Sequence, residues 1–417
     1  MSARYPLPTF PAGVILAFIT GIGKLQVRIL MFSNDPEICV CHDDLPPGHT
    51  RLRHRDYVAE LRRQTGIASK LAVLVSVPAG SNLQPQHEES GLSIIPIAAP
   101  HRLLAPLYSL LPALQGVKNF KPDLVTAQSP WESGPVAFLA AKLSRAKLLL
   151  QLHADIGTRE WNQQSSAYRL RAIIAMIVCR GADKIRVVSE NMKVRLAEEW
   201  RLSPEKFIVV PVPVSLPPPT ELSRSSAKNT LLPGLADHPT VLFVGRLYPP
   251  KNIDLWVETA AAIARQLPET RFVIAGDGSE KEKLFALLER HHLREKTILT
   301  GHVSRDRLPD LYKCGDVFLL TSSHEAFGMV VVESLLSKTP VISTATGGPK
   351  EIISDGVTGR LISSGRAEDL AKAVLELLQD AKTREEMGTR GQIAMQQRYS
   401  AEIIREKLVT AWLQSAG

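Results

Sequence analysis

A chain of 417 residues with 44% hydrophobic side chains carries enough apolar material for two cores, and its ordinary glycine and proline contents exclude a wholly disordered or fibrous protein. The net charge of +8 and pI near 9.3 suit an anionic partner, but the basic residues are scattered and no zinc finger or aromatic RNP segment is present, so nucleic acid is set aside. Cys39, Cys41, Cys179 and Cys314 lack the spacing of a disulfide framework, and Cys39, Cys41 and His42 have no second ligand pair, so a reducing cytoplasm and no structural metal are expected.

In chain order, the apolar run at 14–22 resembles a weak signal peptide or membrane-touching segment and is too short to span a bilayer. Residues 1–26 read as an extension ahead of a domain. Apolar, β-branched runs at 27–32, 70–77, 92–97, 124–127, 147–153, 184–188 and 207–210 read as strands, with amphipathic helical segments such as 54–63, 135–143 and 168–180 between them. The segment 211–239 holds Pro211, Pro213, Pro217, Pro218 and Pro219 before a Ser/Arg-rich stretch without apolar period, and reads as a linker. A second series of strands follows at 240–244, 271–275, 297–300, 317–320, 341–343 and 359–362, each leading into a turn and a helix. The alternation predicts an α/β chain of two doubly wound, Rossmann-like domains, 27–210 and 240–398, facing each other across a cleft, with a C-terminal helix at 399–417 that packs back on the first domain. Ligands of such sheets sit beyond the carboxyl ends of the strands.

The densest candidate site begins after the strand at 317–320, where Glu325-Ala326-Phe327-Gly328-Met329-Val330 leads into a helix that carries Glu333. Glycine at 328 clears the helix start and leaves the amides of Gly328, Met329 and Val330 for an anion, while Glu333 can accept two hydrogen bonds from a ribose diol. Cations answer a diphosphate from the end of the strand at 240–244: Arg246 as a fork and Lys251 as a point charge, both able to stabilise a departing nucleoside diphosphate. No Asp-x-Asp occurs in the chain, so transfer without a metal cofactor is expected. Gly276 and Gly278 serve either a tight turn or ligand contact, and Lys350 and Glu351 read as helix-start charges.

These residues resemble the family 4 type of glycosyltransferases, which have the two-domain GT-B fold. Glu325 and Glu333 match the family's E-x7-E motif, and 243–246 with Lys251, 275–278, 301–303 and 347–351 agree with it in order. The resemblance implies that Arg246 and Lys251 bind the diphosphate, that Glu325 faces the donor sugar, that Glu333 holds the ribose and that the segment at Val303 meets the base. It implies further that the first domain takes the acceptor and that His153, after its strand, reaches the transferred sugar. The function so implied is retaining transfer of a hexose-type sugar from a UDP- or GDP-sugar to a glycan or lipid-linked acceptor, in polysaccharide or cell-envelope synthesis at the cytoplasmic face of a membrane. Because many members use lipid-linked acceptors, the arginine-rich segment at 49–63 is read as a weak anionic-membrane patch rather than a solvated helix face. Two departures bear on acceptor and donor contacts: Ser33-Asn34-Asp35-Pro36-Glu37 replaces the Gly-Gly turn after the first strand, and Pro211-Val212-Pro213-Val214 replaces the usual Pro-Asn-Gly-Val. A nucleotide-sugar epimerase or hydrolase of the same architecture, or a non-catalytic sugar-nucleotide-binding module, stands as the alternative.

Overall fold

The computed structural model of the protein describes residues 26–39, 50–65, 68–81, 83–100, 105–158, 161–162, 164–214, 216–217 and 220–417. The apolar run at 14–22, Cys41 with His42, and His49 lie outside the described residues. Strands β1 (Arg28–Ser33), β2 (Lys70–Pro78), β3 (Gln86–His87), β4 (Leu92–Ala99), β5 (Leu124–Ala127), β6 (Lys147–Gln151), β7 (Lys184–Val187) and β8 (Phe207–Val209) form a sheet in the order β3-β4-β2-β1-β5-β6-β7-β8. It is parallel apart from the β3–β4 pair. Parallel strands need helical crossovers, which cover both faces, so Ile29, Leu30 and Met31 of β1 are all buried. Helices Leu110–Phe120, Gly134–Ser144 and Ser166–Gly181 lie side by side as the crossovers into β5, β6 and β7.

The opposite face is closed by helix Thr50–Thr65 and by the last helix, Ala401–Ala416, which returns from the second domain to lie on β5 and β6. Trp412 is fully buried there, edge-on to Tyr57 at 5.4 Å, and Arg405 and Glu406 reach Asp56 and Arg63 at 3.3 and 3.4 Å. This packing uses the arginine-rich segment internally: Arg51 is buried against Glu88 at 2.8 Å, Arg55 binds the same carboxylate at 3.0 Å, and Arg62 donates to the Ser69 carbonyl. Arg51, Arg55 and Arg63 of the basic face expected at 49–63 are thus drawn into ion pairs that hold the β3 edge and the last helix, while Arg63 keeps most of its side chain exposed.

Strands β9 (Thr240–Val244), β10 (Arg271–Ala275), β11 (Thr297–Gly301), β12 (Val317–Leu320), β13 (Val341–Thr344) and β14 (Gly359–Ile362) form an all-parallel second sheet, ordered β11-β10-β9-β12-β13-β14. The stretch expected to be a plain linker holds helix Arg224–Leu231, capped by the Ser223 hydroxyl, which accepts from Ser226 N–H at 3.1 Å. Its Lys228 is buried on Asp316 at 2.7 Å, which ties the helix to the second domain. It is docked by this ion pair together with Ala227, Leu231 and Leu232, too few apolar positions to mark a helical period in the sequence.

Candidate functional site

The second sheet runs outward in both directions from the β9–β12 boundary, and the loops after these two strands meet at that switch point. Lys251, in the turn after β9, is buried and places Nζ 2.7 Å from Glu325 Oε2; the Ser322 hydroxyl donates to the same oxygen at 3.3 Å. The two loops are fastened together, since Ser323 N–H donates to the Pro250 carbonyl at 2.9 Å and the Thr321 hydroxyl to that of Lys251 at 3.0 Å. Arg246 stays exposed at the crevice, its guanidinium over the Tyr248 ring at 4.9 Å.

Glycines make this crowding possible. Gly276 and Gly278, after β10, have φ of 147° and 157°, and a Cβ on either would run into the carbonyl of Gly245 or Leu247. Tight backbone approach is by itself a sufficient reason for both glycines. Gly347 and Gly348, after β13, press in the same way on the carbonyls of Glu325 and Phe327, and Gly348 N–H donates to the Glu325 carbonyl at 2.9 Å. The backbone of Glu325 is thus set from a neighbouring strand.

Gly328, with φ of 99°, starts helix Met329–Leu336 and offers no capping side chain. The first intrahelical donors are Val331 and Val332, so the amides of Gly328, Met329 and Val330 point outward from the helix start. The Phe327 ring is buried edge-on to Tyr399 at 5.5 Å, so any part it takes in ligand binding falls to its main chain. One and a half turns on, Glu333 is buried and accepts from Tyr312 Oη–H at 2.9 Å. Burial raises its pKa, which the Tyr312 bond and the charges of Arg305 and Lys251 oppose, while burial and Glu333 together push the Tyr312 phenol well up. Val303 is half-buried at the end of β11, packed on the core, and His302 is exposed.

Across the crevice, the loop after β6 presents His153 and Asp155. His153 is exposed to solvent. Asp155 joins the halves of the molecule, paired with Arg195 at 2.6 Å and with His324 of the second domain. Burial acts to raise its pKa, and the bonds from His324 and Arg195 outweigh that, holding the carboxyl low. Beside it, Glu351 accepts from the amides of Glu190 and Asn191 at 3.0 and 2.7 Å, and the Ser189 hydroxyl donates to the Ala326 carbonyl at 2.7 Å. A carboxylate from the second domain thereby caps the helix Glu190–Glu199 of the first.

The first sheet also has a switch point, between β1 and β5, where Ser33 donates to Gln128 at 2.7 Å and Asn34 to Glu132 at 2.5 Å. The polar turn that stands in place of Gly-Gly is thus held by side chains of the next loop. Beside it Trp131 and Trp161 pack edge-on at 5.5 Å, both half-buried. Sequence reading missed Tyr312, Asp155, His324 and the clamp made by Glu351. Asp155, His324 and Glu351 lie in segments already singled out, beside His153, just before Glu325 and in 347–351, and only Tyr312 does not; none has a local spacing that names its partner.

Two family models match: the glycosyl transferase 4-like domain over residues 50–213 and the glycosyl transferases group 1 over residues 233–393. The alpha-D-kanosaminyltransferase of Streptomyces kanamyceticus is 30% identical over 221 residues, 53% of this chain and 55% of that protein. The chain thus spans about half the length of the curated relatives it matches. Among solved structures, Anabaena HepE in complex with UDP and glucose aligns with a TM-score of 0.70 at 19% identity, over 93% of this chain and 100% of that one. Sucrose-phosphate synthase from Thermosynechococcus elongatus gives 0.73 at 20% identity, over 93% and 98%.

Proposed function

The chain belongs to the GT-B glycosyltransferases of the family 4 type, and from that premise we propose that it transfers a hexose-type sugar from a UDP- or GDP-sugar to a glycan or lipid-linked acceptor, with retention and without a metal. The observation that carries this reading is the switch-point crevice, where the Lys251–Glu325 pair and Arg246 lie beside the open start of helix Met329–Leu336. A diphosphate placed there meets amide donors and two cations. Glu325 is left to face the sugar. The Anabaena neighbour was solved with UDP and glucose, which favours uridine as the base.

In the proposed chemistry the acceptor oxygen attacks the anomeric carbon on the face from which the phosphate leaves, and the departing phosphate oxygen takes the acceptor proton. Arg246 and Lys251 carry the charge that grows on the leaving diphosphate, a demand met in many enzymes by a divalent ion. His153 hydrogen-bonds the sugar. Nucleoside diphosphate release is therefore expected to need an acceptor and to survive EDTA. Release without acceptor would favour the hydrolase alternative; turnover that falls in EDTA and returns with manganese or magnesium would remove the metal-free reading.

Glu333 binds a part of the donor that does not change during reaction, so Glu333→Ala is expected to raise donor KM by roughly tenfold with kcat held, a loss of about 1 to 3 kcal/mol. The same change leaves the buried Tyr312 hydroxyl without its acceptor. Glu333→Gln keeps that acceptor and separates the two effects: its unfolding midpoint should match the wild type while its KM rises. A fall in kcat with unaltered KM would contradict the ribose role.

A further inference from the structure

Exposed large aliphatic side chains are concentrated on one side of the first domain. Leu107 (68% exposed), Leu111 (70%), Leu143 (56%) and Ile177 (58%) stand out there, accompanied by Leu139, Leu170 and Ile173. They sit on the adjacent helices Ala105–Tyr108, Leu110–Phe120, Gly134–Ser144 and Ser166–Gly181. Single exposed leucines are ordinary, but this many on neighbouring helices are not.

The charge carried by these helices is of one sign; a carboxylate, exposed Glu199 of the helix Glu190–Glu199, stands at the edge beside Arg169 and Ile173. No Asp or Glu occurs in 105–121, 134–147 or 164–182. Exposed Lys118, Lys121, Lys142, Arg145, Arg169 and Arg180 rim the apolar residues. No carboxylate among the described residues pairs with any of these six. A second copy docked on this face by two-fold symmetry would set cations against cations. A surface that offers hydrocarbon beneath a layer of negative charge answers both features. No described helix is long and apolar enough to cross a membrane. We propose that this helical face docks the protein peripherally on an anionic lipid bilayer, with the aliphatic side chains entering the interface and the cations meeting the head groups.

The test is co-sedimentation of the full chain with phosphatidylglycerol-containing vesicles and with pure phosphatidylcholine vesicles, at low salt and at about 1 M salt, where screening shortens to about 3 Å. The wild type is expected to bind the anionic vesicles at low salt, at least tenfold more tightly than the neutral ones. Leu170→Ser/Ile173→Ser/Ile177→Ser and Lys142→Glu/Arg169→Glu/Arg180→Glu should each lose binding at least tenfold with unchanged unfolding midpoints. The surface control Lys372→Glu/Lys382→Glu on the second domain should keep it. Absence of binding, equal binding to both vesicle types, or retention by both face variants would overturn the proposal. So would a dimer that dissociates in the Leu170/Ile173/Ile177 variant while vesicles stay unbound, an outcome that gives the face to a second copy. None of these readouts depends on the transfer reaction.

Discussion

Glu325→Ala is expected to lower kcat by roughly a hundredfold or more, with donor KM unchanged or lower. The carboxylate is held from three sides: by Lys251 at 2.7 Å, by Ser322 at 3.3 Å, and through its own carbonyl by Gly348 N–H at 2.9 Å. A negative group fixed in this way costs little reorganisation when positive charge develops at the anomeric carbon, so its contribution falls mainly in the transition state. In the ground state the same charge repels the diphosphate and competes for Lys251. Its removal frees that cation for the donor, and this is why KM should not rise. Glu325→Gln retains shape and hydrogen bonding while losing charge, and it should recover only a small part of the rate. Steady-state kinetics on both variants decide the matter; a raised KM with unaltered kcat would reduce Glu325 to a binding residue.

Lys251→Ala is expected to cost roughly a thousandfold in kcat/KM, about 4 kcal/mol of transition-state stabilisation. Two effects act in the same direction. The leaving diphosphate loses a buried cation, and Glu325 loses the partner that offsets its repulsion of the donor. Lys251→Arg should restore little, because Nζ is a buried point charge set 2.7 Å from Glu325 Oε2, a geometry that a planar, wider guanidinium does not reproduce. Since the two residues act as a pair, the Lys251→Ala/Glu325→Ala double variant should lose less than the sum of the two single losses. Unfolding midpoints measured alongside separate lost catalysis from a loosened crevice. Strictly additive losses would show that the pair has no functional coupling.

Much of the architecture was legible in the sequence, because parallel strands covered on both faces are short continuous apolar runs. The runs at 124–127, 240–244, 271–275, 317–320 and 359–362 coincide with β5, β9, β10, β12 and β14. β3 escaped notice since two polar residues, Gln86 and His87, make an edge pair with no hydrophobic signature. Helix Arg224–Leu231 escaped because a buried Lys228–Asp316 pair and only a few apolar positions dock it. Within the site, Lys251 and Glu325 were readable as chemistry but not as partners, for their contact joins the ends of two strands 74 positions apart. At Phe327 a place in a motif suggested a ligand contact without showing that the ring is buried beside the helix Ala381–Tyr399. Arg51, Arg55 and Arg63 read as free charge until Glu88, Glu60 and Glu406 were brought to them by folding.

A nucleoside diphosphate is expected to bind at the β9–β12 switch point through the chain's own cations, Arg246 and Lys251. Calorimetric titration of UDP and of GDP into the wild type, Arg246→Ala and Lys251→Ala, all in EDTA, tests it most directly. The wild type should bind one of the two nucleotides saturably, and each variant should bind it at least tenfold more weakly. Binding that requires added metal, or equal affinity in all three proteins, would contradict it.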